Sequence, residues 1–239
     1  MIIKKKALRG LFLKGGPMDQ VPGTNYQIVQ GEGALSYSID SLFLSYFARP
    51  KGQVLDLGCG PGILFFRLLG KGAMTGYTGI DTNPQALDYF KKSLEENSLP
   101  YRPDLRLEDV GALSVHGHYD IVITNPPYFT GKLQGKDPGK NQAKHQGPQV
   151  LDLFIERGAY SLKPLGFFYM VLPVDRLVDG LVLMRSHGLE VKRAQTLAKK
   201  EGKGPHWIAL EGRKGARPGL QMDRDLFLDR DYDWIYSMK

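Results

Sequence analysis

The order of apolar runs in this 239-residue chain predicts an α/β fold, an open, doubly wound and mostly parallel sheet with helices on both faces. Three observations carry that expectation. Short continuous apolar runs alternate with amphipathic ones from Gln53 onward, a glycine-rich turn follows the first of them, and an acid, Asp81, ends the second. Strands buried on both faces read as continuous apolar runs, and each helical stretch between them supplies the crossover that parallel pairing needs.

Taken in order, residues 1–24 are rich in Gly and Lys and read as an arm. Residues 26–37 alternate enough for a hairpin turning at Gly31 and Gly33. Ser38 or Asp40 then caps a helix carrying Leu42, Phe43, Tyr46 and Phe47, closed before Pro50. Strands are expected over 54–57, 77–80, 105–107, 120–124 and 166–172. Helices are expected over 63–69, from Pro84 behind an Asn83 cap with Leu87, Phe90 and Leu94 on one face, and over 150–162. Helix and strand pairing continues over 175–210, ending in a strand at 206–210. The aromatic and acidic tail from Met222 is expected to pack back on the core. Two units follow, a basic arm with hairpin and helix over 1–49 and one catalytic domain over 50–239.

Composition narrows the class. With 42% hydrophobic and 24% charged residues the chain reads as a globular enzyme able to bury one sizeable core. The longest apolar stretches, such as 166–173, are far shorter than a bilayer span, and the N-terminus lacks a signal-peptide pattern. A lone Cys59 excludes an intrachain disulfide and a cysteine-rich zinc site, so no metal and a cytoplasmic location are expected. The net charge of +7 is uneven. Lys4, Lys5, Lys6, Arg9 and Lys14 precede the first acid, and Lys132, Lys136, Lys140 and Lys144 face only Asp137. Between Lys192 and Arg217 stand eight Lys or Arg and two Glu. Such clusters favour phosphates and nucleic acid, or are simply solvated faces.

Asp56-Leu57-Gly58-Cys59-Gly60-Pro61-Gly62 places three glycines at the carboxyl end of the first strand, where open α/β sheets bind ligands. Asp81, about twenty residues on, can accept hydrogen bonds from ribose hydroxyls. A dinucleotide fingerprint would want glycine where Ile63 stands, and Asp56 suits a cationic sulfonium better than a pyrophosphate. Asp109, after the third strand, either reaches the adenine of such a cofactor or is a solvated turn acid. Cys59 reads as a small packing residue.

Asn125-Pro126-Pro127-Tyr128 ends the fourth strand. Two prolines remove two donors and stiffen the turn, so the Asn125 side-chain oxygen and the Pro126 carbonyl can act together as acceptors. An exocyclic amino group has two N–H donors to match them. Holding both protons favours pyramidalisation of a conjugated nitrogen and frees its lone pair, so catalysis can rest on positioning and electrostatics. Tyr128 offers a face on which a flipped base can stack.

Together the glycine loop, Asp81 and Asn125-Pro126-Pro127-Tyr128 resemble the Rossmann-like class I methyltransferases that modify amino nitrogens. The resemblance implies S-adenosyl-L-methionine as cofactor, held by Asp56, Gly58, Gly60, Gly62 and Asp81 with Asp40, Asp109 and Asn125, and a target nitrogen held by Asn125, Pro126, Pro127 and Tyr128. The segment 35–42 is similar to the Phe-Ser-x-Asp segment of the bacterial valine-tRNA adenine-N6-methyltransferases. Ala143-Lys144-His145-Gln146 resembles their Ala-Arg-His-Glu, with Lys and Gln in place of Arg and Glu, and 210–215 resembles their last strand. That likeness implies tRNA as partner, contacted through Phe129, Lys132, Lys136, Lys140, Lys144 and His145. Two other readings share parts of the pattern. A release-factor-type protein glutamine N5-methyltransferase uses the same motif but carries a larger helical domain ahead of its core. A catalytically inactive RNA-binding module would leave Asp81 and Asn125 without a task.

Overall fold

A computed structural model describes residues 18–29, 37–127 and 147–238 of the protein. The main sheet is built from β3 (Gly52–Leu57), β4 (Met74–Asp81), β5 (Asp104–Leu107), β6 (Tyr119–Thr124), β7 (Leu162–Pro173), β8 (Leu189–Ala198) and β9 (Trp207–Lys214). Two short strands, β10 (Gln221–Met222) and β11 (Leu226–Phe227), pair with the outer edge of β8. Across the sheet the order is β10-β8-β9-β7-β6-β3-β4-β5. The pairs from β5 through β7 are parallel, and only β9 runs against both of its neighbours. The doubly wound, mostly parallel expectation therefore holds, with one antiparallel strand inserted.

Period-2 alternation divides the core between the two faces. Val54, Ile121, Ile123 and Val171 pack beneath α1 (Ile39–Phe47), α2 (Ile63–Leu69) and α3 (Pro84–Glu95). Leu55, Leu57, Val122 and Leu172 look the other way, toward α4 (Gly147–Ser161) and α5 (Leu177–Ser186). The start of α3 is fixed by its sequence: Asn83 Oδ1 accepts from the Gln85 and Ala86 amides, with Pro84 at the first helical position.

Three expectations change. The strand β2 (Gln27–Val29) pairs with β1 (Met18–Gln20) across a turn at Pro22-Gly23, so residues 18–24 of the supposed arm belong to a hairpin; Gly31 and Gly33 lie outside the described residues. Gly23 has φ +73°, and a Cβ there would sit 2.9 Å from the backbone of Ser237, so the turn needs glycine. The last long strand runs through Lys214 rather than stopping at Leu210, because the charge of Glu211 is met by buried Arg193 at 3.0 Å. The strand expected over 166–172 begins at Leu162, where α4 ends.

The tail packs on the core as the sequence suggests. Leu226 and Ile235 are fully buried, the latter on α6 (Leu228–Ser237), and the Arg224 guanidinium lies 4.3 Å from the Trp234 ring centre. No helix among the described residues is long and apolar enough to cross a membrane.

Candidate active site

The strands β3 and β6 are neighbours, but the chain leaves them toward opposite sides of the sheet, so a crevice opens beyond their carboxyl ends. Thr124 fastens that point: its hydroxyl, fully buried, donates to the Leu57 carbonyl at 2.8 Å. Sequence reasoning gave Thr124 no role, and its signal is only its place at a strand end.

From Leu57 the chain turns sharply, with φ of +77°, +53° and +95° at Gly58, Gly60 and Gly62. The amides of Gly58 and Cys59 donate to the Ile80 carbonyl at 2.9 and 3.0 Å, pinning the loop to the end of β4. The three glycines do different work. A Cβ on Gly62 would lie 2.5 Å from the Phe90 ring, so this glycine permits close packing of α3. A Cβ on Gly60 would meet nothing within 4 Å among the described residues, so the backbone there is left open on that side. Cys59 is buried, and burial pushes its thiol pKa well up, which fits a packing residue rather than a nucleophile.

Asp81 stands where the sequence places it, at the end of β4. Its carboxylate takes the Gly60 amide on one oxygen and the Asn83 amide on the other, both at 2.8 Å. The acid thus shapes the glycine loop and still offers remaining lone pairs to a ligand. Asp56 lies one layer deeper and is fully buried. It accepts from the Tyr77 hydroxyl on Oδ2, while Oδ1 has no hydrogen-bond partner among the described residues. Burial, with a smaller push from the Asp81 charge, raises its pKa to about 7 against the opposing Tyr77 hydrogen bond. A cation seated near the loop would favour its charged form. An orphaned buried carboxylate oxygen beneath an open glycine loop fits a sulfonium nucleoside. Asp109 is exposed and accepts from the Gly111 amide at 2.7 Å, capping a single 3-10 turn; the turn role is real, and one carboxylate oxygen meets it.

Asn125 follows β6 directly and is half-buried, with Pro126 buried behind it and Pro127 exposed. Its Nδ2 donates to the Ser41 hydroxyl at 3.0 Å. That bond directs the amide nitrogen toward α1 and leaves Oδ1 as an acceptor with no donor among the described residues. Asp40, one residue earlier, is buried in the first turn of α1 and accepts from the Ser41 amide at 3.0 Å and from the Ser38 hydroxyl. The helix before the glycine loop therefore touches the acceptor motif through Ser41, a contact no short-range pattern announces. Tyr128, Phe129, Lys132, Lys136, Lys140, Lys144 and His145 lie outside the described residues. Among the described residues no group of His, Cys, Asp or Glu is arranged to hold a metal ion.

This fold, with its glycine loop, strand-end acid and amide at the switch point, defines a class I methyltransferase. The chain belongs to the methyltransferase small domain family, whose pattern it matches over residues 36–176. It is 30% identical over 190 residues to the tRNA1(Val) (adenine(37)-N6)-methyltransferase of Tolumonas auensis, covering 77% of this chain and 79% of that one. Its fold is similar to a predicted O-methyltransferase from Agrobacterium tumefaciens (TM-score 0.65, 15% identity, 83% of this chain and 96% of that one). A SAM-dependent methyltransferase from Methanosarcina mazei is also similar (TM-score 0.54, 13% identity, 73% and 98%). The cofactor is S-adenosyl-L-methionine.

Asp81→Ala is expected to weaken S-adenosylmethionine binding by about ten- to a hundredfold, since a charge-assisted hydrogen bond contributes about 1.5–3 kcal/mol. Titration calorimetry on the folded variant reads this directly. Unchanged affinity would remove Asp81 from the cofactor site.

Proposed function

We propose that the protein transfers a methyl group from S-adenosylmethionine to the exocyclic N6 of an adenine in tRNA, the adenine next to the anticodon of a valine tRNA. The observation that carries this reading is the Ser41–Asn125 hydrogen bond, which leaves Asn125 Oδ1 as an acceptor beside the glycine loop. The name of the Tolumonas auensis relative, an adenine(37)-N6-methyltransferase of tRNA1(Val), supports the substrate.

In this reading Gly58, Gly60, Gly62, Asp81 and Asp56 hold the cofactor, with Asp40 and Asp109 at its margins. When bound, it supplies an electrophilic methyl on a sulfonium. Asn125 Oδ1 and the Pro126 carbonyl accept hydrogen bonds from the two amino N–H groups and orient the nitrogen lone pair, and Tyr128 stacks the base. The N–C bond forms as the sulfonium S–C bond breaks, leaving S-adenosylhomocysteine, and the methylated nitrogen then loses one proton to water. No strong general base is needed, because the proton is acidified once the nitrogen is alkylated. Phe129, Lys132, Lys136, Lys140, Lys144 and His145 are proposed to engage the RNA around the base. The domain division at residues 49 and 50 and a cytoplasmic location complete the proposal.

Labelled S-adenosylmethionine offered with total tRNA, total protein and duplex DNA tests it. Incorporation at N6-methyladenosine of tRNA alone is expected. Label on glutamine amides of protein would instead establish the release-factor-type reading, and label nowhere, with the cofactor bound, the inactive module.

A further inference from the structure

The basic segment from Lys192 to Arg217 does not form one surface. It rises along β8, turns and returns along β9, so its charges fall at opposite ends of the sheet. Lys192, Arg213, Lys214 and Arg217 gather toward the amino end of β8, where Lys192 donates to the Arg217 carbonyl and Lys214 to that of Leu162. Arg193, in mid-strand, is buried and spent on Glu211 and Asp223. The remaining three, Lys199, Lys200 and Lys203, occupy the tip of the β8–β9 hairpin.

That tip lies at the active-site end. The strand β8 runs parallel to β7, because both are antiparallel to β9, so β8 ends on the same side as β6 and Asn125. Thr124 pairs with Met170, and Met170 with Leu210; β9 is thus two strands from β6, about 10 Å across. The hairpin base at Trp207 is three residues beyond Leu210 toward the carboxyl side, about 10 Å above that level. The base of the tip is anchored: the His206 amide donates to Leu197 at 2.8 Å, and the Val174 amide beyond β7 donates to His206 at 3.1 Å.

We infer that this hairpin tip, through Lys199, Lys200 and Lys203, is a phosphate-binding rim that holds the RNA backbone beside the base presented to Asn125; the inference rests on the RNA reading above. All residues from 199 to 206 are exposed. The one acid of the tip, Glu201, is met by Arg230 at 3.4 Å, while none of the three lysines has an acidic partner within ion-pair distance among the described residues. Of the neighbouring acids, Asp225 lies across β8 from β9 and accepts from the Thr196 hydroxyl, and Asp229 sits in the first turn of α6, the helix whose Arg230 meets Glu201; neither is within ion-pair distance of the three lysines. Three unopposed cations on an anchored tip near the reacting base match a polyanion strand rather than a small substrate.

Two triple variants separate placement from charge: Lys199, Lys200 and Lys203→Ala at the tip, and Lys51, Lys192 and Arg217→Ala toward the opposite end, which removes the same charge. Affinity for an unmodified valine-tRNA transcript is measured across a salt series, with S-adenosylmethionine affinity and thermal midpoint as checks on the fold. The tip variant is expected to flatten the slope of log affinity against log salt by about two to three units and to lose about a hundredfold at 0.1 M salt. The control should keep the wild-type slope, and both should keep cofactor binding. Equal slopes in both variants and wild type, or equal losses in both variants, overturn the rim while wild-type tRNA methylation leaves the functional reading standing. A wild type that binds the cofactor but neither binds nor methylates tRNA overturns both.

Discussion

Replacing Asn125 by Ala is expected to lower the turnover number for methyl transfer by at least about a hundredfold while leaving S-adenosylmethionine affinity nearly unchanged. Groups aimed at charge that develops only in the transition state are worth about two to three decades each. In the proposed mechanism the Asn125 oxygen is such a group: it accepts a hydrogen bond from an N–H that becomes more acidic as the nitrogen lone pair is given to the methyl. The proposed cofactor contacts, Gly60 and Asp81, hold each other through the 2.8 Å amide–carboxylate bond, which does not involve Asn125. Ser41→Ala is the milder companion. It removes the 3.0 Å bond that orients the amide without removing the acceptor, so turnover should fall less than in Asn125→Ala, again with cofactor affinity kept. Single-turnover rates at saturating cofactor measure both. Near-wild-type transfer in Asn125→Ala would mean that the target nitrogen is held elsewhere.

How much of this was readable from sequence follows from the range of the interactions. The start of α3 is local, set by residues two or three positions apart in the Asn83 cap, while the glycine loop and Asp81 are short motifs whose types show in the sequence although they meet across 21 positions; each sits where the pattern puts it. The course of the parallel strands was legible for the same reason. What escaped depends on partners far along the chain. Ser41 meets Asn125 across 84 positions, and although the resemblance singles out 35–42, no local pattern pairs it with Asn125. Periodicity ends β9 at Leu210, because Glu211 and Arg213 look like a strand ending until Arg193 neutralises the first and Leu165 accepts from the second; only the resemblance over 210–215 carries the strand further. The hairpin at Pro22-Gly23 carried a turn signal, but the Lys- and Gly-rich context concealed it.

Arg67 is the most consequential of the long-range residues, and Arg67→Met is expected to cost about 3–5 kcal/mol of stability. The guanidinium is fully buried on α2. Its Nε donates to Ser45 Oγ at 2.6 Å, Nη1 to the carbonyls of Pro22 and Tyr236 at 2.8 and 2.9 Å, and Nη2 to those of Leu42 and Ile235 at 3.4 and 2.6 Å. All five donors are used, and they join the β1–β2 turn, α1 and the last turn of α6. No carboxylate lies within ion-pair distance among the described residues; carbonyl dipoles, including the negative end of α6, hold the charge. Burial lowers its pKa to about 10, so it stays protonated at neutral pH. Methionine fills a similar apolar volume but leaves the Pro22 and Ile235 carbonyls buried, and that of Tyr236 half-buried, without the arginine donors, so the loss reflects the missing hydrogen bonds rather than a large cavity. Arg67→Lys keeps the charge but has three donors on one nitrogen, and should recover only part of the difference. Urea unfolding of the three proteins gives the comparison. Well below the midpoint, cofactor affinity should be near wild type in all of them, because neither Gly60 nor Asp81 touches Arg67. A Met variant within about 1 kcal/mol of wild type would show that the tail and the β1–β2 turn are held by apolar packing around Ile235 and Ile28 instead.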